Sequence, residues 1–169
     1  MKKDYMEACM NATRQRIMQV IMIKKEATSA EIGEELTDIP RASLYRHIKV
    51  LLDAGIITVV KEELKRGSTE KTYAIAPKMP YDDTNEEYNS LIQSALMGLQ
   101  GEFCRYFNGE NPDPQRDLLT VGSASLMMSD EEMMEFIKAY GELIQRYMPN
   151  KPTEGRKVRK VTIVISPNV

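Results

Sequence analysis

Histidine is almost absent: His47 is the only one in 169 residues. That scarcity excludes clustered-histidine metal sites and the HExxH arrangement, and a Ser-His-Asp triad would have to borrow its base from a basic helix. Cysteine is nearly as rare. Cys9 and Cys104 lie far apart, so they make neither a CxxC metal site nor a disulfide framework, and both read as semi-buried free thiols. The chain has no glycine-rich GxGxxG or GxxxxGK[ST] loop to cradle a nucleotide. No apolar run approaches the roughly 18 residues of a membrane span, and the opening "MKKDYMEACM" has no apolar signal core. The expectations are a cytoplasmic protein that needs no membrane, with no catalytic residues, no metal and no cofactor.

What the chain does have is ordinary globular composition, 42% apolar and 28% charged, with an uneven charge. Residues 1–78 carry 14 Lys and Arg against 11 Asp and Glu, whereas residues 79–169 carry 9 against 14. A basic front and an acidic back suggest different partners for the two halves.

The front half has helical spacing in "NATRQRIMQVIMIKKE", where Ile17, Val20, Ile21 and Ile23 are framed by Arg14, Arg16, Lys24 and Lys25. Thr28 followed by Glu31 is a capping box that opens a short helix with Ile32 and Leu36 inward. Pro40 ends that pattern and starts the next helix. In "IPRASLYRHIKVLLDAGII", Leu44, Ile48, Leu51 and Leu52 fall on one stripe, with Ala42, Arg46 and Lys49 opposite, flanked by Ser43 and Tyr45. No acidic residue interrupts this stretch before Asp53, and Gly55 suits the left-handed residue that closes a helix. Two β-branched runs, from Ile57 and through Thr72 to Ile75, flank a polar turn with Gly67 at its tip.

Helix, short helix, helix and basic-tipped hairpin, in that order, predict a winged helix-turn-helix. Its third helix would enter a major groove. Arg46, Ser43 and Ala42 are the candidates for base edges. Tyr45, Lys49 and Arg41 could read bases or hold phosphates. His47 sits at the stripe's edge, for packing or a phosphate contact. Lys65, Arg66 and Lys71 would make the wing's contacts, and cations on the first helix could neutralise further phosphates.

At these residues the sequence resembles the winged-helix regulators of the broad ArsR-like group. The pattern is carried by Thr28, Ser43, Leu44, Tyr45, Arg46, His47, Ile48, Leu52, Ala54 and Gly55, over about residues 11–78. The resemblance implies a dimeric transcription regulator, usually a repressor. The metal-sensing members carry a cysteine pair where this chain has "LTDIPRAS", so metal sensing is not implied.

Beyond Pro77 and Pro80 the pattern changes. Tyr88, Leu91, Ile92, Ala95, Leu99, Phe103 and Tyr106 predict a long amphipathic helix whose stripe serves as core and dimer interface. "DLLTVGSASLMM" and "VRKVTIVISP" predict strands, and Ser129 with Glu132 caps a second long helix between them. The expected fold is α+β, mainly helical. It has a winged helix-turn-helix over residues 1–78 and a helical dimerisation domain with a small β-sheet over 79–169, in the order helix–strand–helix–strand. The expected partners are double-stranded DNA, a second copy of the chain, and a small-molecule effector of unassigned chemistry in the second half. The competing reading is a winged helix that docks an acidic protein without sequence-specific DNA binding.

Overall fold

The computed structural model describes residues 2–65, 67–77 and 84–167. Among them the architecture is α+β, with six helices and one three-stranded antiparallel sheet. The helices are α1 (Lys2–Met10), α2 (Ala12–Lys24), α3 (Ser29–Glu35), α4 (Arg41–Asp53), α5 (Asn85–Phe107) and α6 (Asp130–Tyr147). The strands are β1 (Ala27–Thr28), β2 (Ile57–Lys65) and β3 (Ser68–Ile75), in the order β1-β3-β2.

Local chemistry sets most boundaries in the front half. The Asn11 side chain caps α2 by accepting from the Arg14 amide at 3.1 Å. Arg14 then reaches back, donating to the carbonyls of Ala8 at 2.8 Å and Glu7 at 2.6 Å, which ties α2 to α1. The capping box forms as expected: the Thr28 amide donates to Glu31 Oε2 at 2.7 Å, and the Glu31 amide to Thr28 Oγ1 at 3.2 Å. Pro40, with its ring-fixed φ of −58°, precedes α4. At the other end Gly55 adopts φ 68°. The Ile56 amide donates to the Leu51 carbonyl at 3.0 Å and the Gly55 amide to Leu52 at 2.9 Å, the paired bonds of a Schellman close.

These ends aim the apolar stripes at one core. Ile17 and Ile21 of α2, Ile32 of α3, Leu44, Ile48 and Leu51 of α4, and Ile57 of β2 are all buried, with Ala27 and Tyr73 beside them. Ile23, expected on the inner stripe, is instead half exposed: two residues on from buried Ile21, it lies about 200° round the helix from it. β1 was not expected; its two residues pair Ala27 with Tyr73 and Thr28 with Thr72, making the hairpin the larger part of a sheet. Between Val59 and Lys61 the β2–β3 register shifts by one residue, leaving Val60 as a bulge.

The second half departs from expectation. The two long helices form, capped by Thr84 and by Ser129 with Glu132. The two strands do not: among the described residues no strand follows Ile75, and residues 119–128 and 157–167 join no ladder. A strand-like sequence becomes a strand only beside another edge, and these segments meet none within the chain. Nor does the α5 stripe form a closed core. Leu91, Ala95, Leu99, Phe103 and Tyr106 are half-buried, Tyr88 and Ile92 are exposed, and every fully buried apolar residue lies between Ala8 and Tyr73. α5 packs on α1, and lysines of the later segments reach α5 and the front half. Lys160 Nζ donates to the Met10 carbonyl at 2.8 Å and to Glu102 at 2.6 Å, while Lys151 Nζ lies 2.7 Å from Glu35, which also pairs with Lys24 at 3.4 Å. The expected division after residue 78 and the Pro80 landmark lie outside the described residues.

Candidate nucleic-acid interface

α3 and α4 are joined by a turn through Ile39, whose amide donates to the Leu36 carbonyl at 3.0 Å. Because Leu44, Ile48 and Leu51 hold one side of α4 in the core, the helix must present its other side outward. Arg41, Ala42, Tyr45, Arg46 and Lys49 are all exposed there, and Ser43 is half-buried at their margin. α4 runs 13 residues, about 20 Å, and its diameter suits a major groove.

None of Arg41, Arg46 and Lys49 forms an ion pair with a described residue. Arg46 Nη2 makes only a long contact of 3.4 Å with Ser43 Oγ, one helical turn back. The Ser29 hydroxyl lies 3.5 Å from the Tyr45 hydroxyl, placing the start of α3 beside the exposed face of α4. Sequence spacing did not reveal that neighbour, because α3 and α4 come together only through the turn.

Other cations are occupied. Arg14 is spent on backbone carbonyls, and Arg16 forms a two-bond pair with Asp38 at 2.6 and 2.7 Å. Both arginines of α2 thus have partners within the chain. The Arg16–Asp38 pair, Arg16's bonds foremost, holds the Asp38 carboxyl below its ordinary range. In the wing, Lys71 faces Glu62 across the ladder at 3.0 Å, and Lys61 lies 2.8 Å from Glu63. Lys71 is thus engaged rather than free, and Glu62 raises its affinity for a proton. Arg66 and the Lys65 side chain lie outside the described residues; the backbone there turns at Gly67, with φ 84°.

His47 is half-buried at the base of the face, and its Nδ1 is buried without a hydrogen-bond partner. Burial, then the charges of Arg14 and Arg46, push its proton affinity below the ordinary value. That setting disfavours the imidazolium. Among the described residues no three His, Cys, Asp or Glu side chains gather as metal ligands. Cys9 is half-buried and burial raises its thiol; Cys104, expected to be semi-buried, is instead exposed, with no described residue covering its side of α5.

The comparison with known families agrees with this geometry. Residues 10–60 match the family of helix-turn-helix domains. The match runs from the end of α1 through α2, α3 and α4 to the bulge at Val60, and it supports a helix-turn-helix regulator with DNA as partner. No curated protein matches the chain. In this helix-turn-helix, α4 is the second helix of the motif, the one whose exposed side meets base edges in such domains. No helix among the described residues is long and apolar enough to cross a membrane.

Proposed function

We propose that the chain is a sequence-specific, double-stranded DNA-binding transcriptional regulator of the ArsR-like winged-helix kind, a repressor that acts as a homodimer and not an enzyme. One observation carries the reading: α4 is clamped into the core along one side and offers Arg41, Arg46 and Lys49 on the other, none with an acidic partner among the described residues. Exposed cations on an anchored helix suit an anionic ligand, and a helix of this width suits a groove.

In this reading Arg46 and Ser43 meet base edges, Tyr45 reads a base or lies against the backbone, and Arg41 and Lys49 hold phosphates. Ala42 lets the helix approach closely. Lys71 contributes only after releasing Glu62. Two such helices would enter major grooves about 34–36 Å apart. A small-molecule effector would regulate the pair by binding one spacing better than another, since only differential affinity shifts an equilibrium.

Selection of bound duplexes from a random pool tests the reading. The wild-type chain enriches a common sequence. Arg46→Ala loses about 5- to 150-fold in affinity for that sequence and relaxes preference at one position. A pool with no enrichment would point to the protein-docking alternative, and unchanged preference in the variant would remove Arg46 as a base reader.

A further inference from the structure

The chain exposes 13137 Å², whereas a compact monomer of 19.3 kDa exposes about 8,500 Å². The excess, roughly 4,600 Å², is several times the about 800 Å² that each partner buries in an ordinary interface. Most of the exposed large apolar side chains lie in the second half. α6 buries no residue, although Phe136, Ile137, Leu143 and Tyr147 are large, apolar and 40% to 64% exposed. It makes no extended packing with any other helix or strand of its chain.

Facing the same problem, the C-terminal half of α5 carries an open apolar hollow of about 500 Å³ lined by Leu96, Leu99, Phe103, Cys104 and Phe107. No helix of the chain fills it. On either side of α6, residues 120–128 and 157–167 make no backbone hydrogen bond to a described residue, yet Val121, Leu126, Met127, Val161 and Val164 are at least 61% exposed. Unpaired backbone beside exposed apolar side chains is a strand awaiting an edge.

We infer that α6 and its two flanking segments form an arm that is exchanged with a second copy of this chain, the apolar side of α6 seating in the α5 hollow of the other copy while the flanking segments pair as strands across the two. A second copy fits because the chain carries both halves of the match, an unfilled hollow and an unseated helix. A two-fold axis satisfies both at once, each arm covering the other copy. Extended segments related by that axis supply each other with the edge neither finds alone. The inference deepens the homodimer part of the function proposed above by naming its surfaces.

Light scattering of the full chain without DNA, at micromolar concentration, is expected to give twice the chain mass of 19.3 kDa. Phe136→Glu with Ile137→Glu is expected to give the single mass. A monomeric wild-type chain would overturn the inference and leave these faces to some other molecule. A cross-linking pair does not depend on how the double variant folds. One chain carries Cys9→Ser; the other, tagged, carries Cys9→Ser, Cys104→Ser and Phe136→Cys. A short bismaleimide is expected to join the two different chains through Cys104 and the introduced thiol. A dimer that never yields this mixed product would overturn arm exchange. A dimer that enriches no duplex leaves this inference intact while sinking the regulator reading, and a monomer that does enrich one sinks this inference and the homodimer while leaving the DNA-reading face in place.

Discussion

Replacing Leu51 by alanine empties the point where α4 turns into the sheet. Leu51 has no exposed surface, and its carbonyl accepts the Ile56 amide that closes the helix. The substitution removes three carbons, about 2.4 kcal/mol at about 0.8 kcal/mol each. The cavity adds to that, because Ile48, Ile56 and Ile57 are held by their own elements and close in only partly, for a total of about 3–4 kcal/mol. A front half of this size has on the order of 4–10 kcal/mol in all, so the variant stays folded at 25 °C with much of its margin gone. Urea unfolding followed by far-ultraviolet circular dichroism checks this, at one fixed concentration because self-association couples stability to it. The midpoint is expected to fall by about 2 M for a slope of roughly 1.5 kcal/mol/M, while Lys49→Ala stays within about 0.5 kcal/mol of wild type. A Leu51→Ala loss no larger than that of Lys49→Ala would refute the assignment of the inner side. A changed duplex preference in still-folded Leu51→Ala would refute the separation of α4 into a packing side and a reading side.

Three further outcomes follow from the same geometry. Lys49→Ala should make log K against log salt shallower by about 0.9, one phosphate's worth, with sequence preference unchanged, as read from binding isotherms at several salt concentrations. Gly55→Ala, at φ 68°, should cost about 1–2 kcal/mol in the same urea experiment, because a Cβ is strained in the left-handed region; a neutral result would mean α4 can end another way. The Asp38 carboxyl is held low by Arg16, so its contribution is present above the ordinary carboxylate range and is lost as pH falls through the depressed value. With the Asp38 side chain 40% exposed, that contribution is under about 1 kcal/mol. Asp38→Asn should therefore lower stability at neutral pH by under about 1 kcal/mol, converge with wild type in acid, and flatten the stability–pH curve below about pH 4.

What could be read in advance was what neighbours in sequence decide. The Thr28–Glu31 box, the Pro40 start, the Gly55 stop and the Leu44–Ile48–Leu51 stripe each depend on residues within a turn or two, and all appear in the structure. What could not be read depends on distant partners. Arg14, Arg16 and Lys71 look like free cations until the fold brings carbonyls, Asp38 and Glu62 against them. β1 is too short for any pattern and exists because Tyr73 lies alongside Ala27. The segments "DLLTVGSASLMM" and "VRKVTIVISP" have strand-like composition, but composition does not supply the neighbouring edge.

The extra residue at Val60 decides which charges meet in the wing. With it, Glu62 stands opposite Lys71, and Lys65 opposite Ser68 across a two-residue tip. Were Val60 paired with Thr72 in an uninterrupted ladder, every later residue of β2 would slide by one. Lys61 would then confront Lys71, and Glu62 would confront Glu70, two like-charge pairs where the folded hairpin has one, Glu63 with Glu70, beside the Glu62–Lys71 attraction. The tip would also widen by one residue and lose its tight turn at Gly67. A single exposed valine thus acts as the spacer that sets Lys71 opposite an acid and keeps it from facing Lys61.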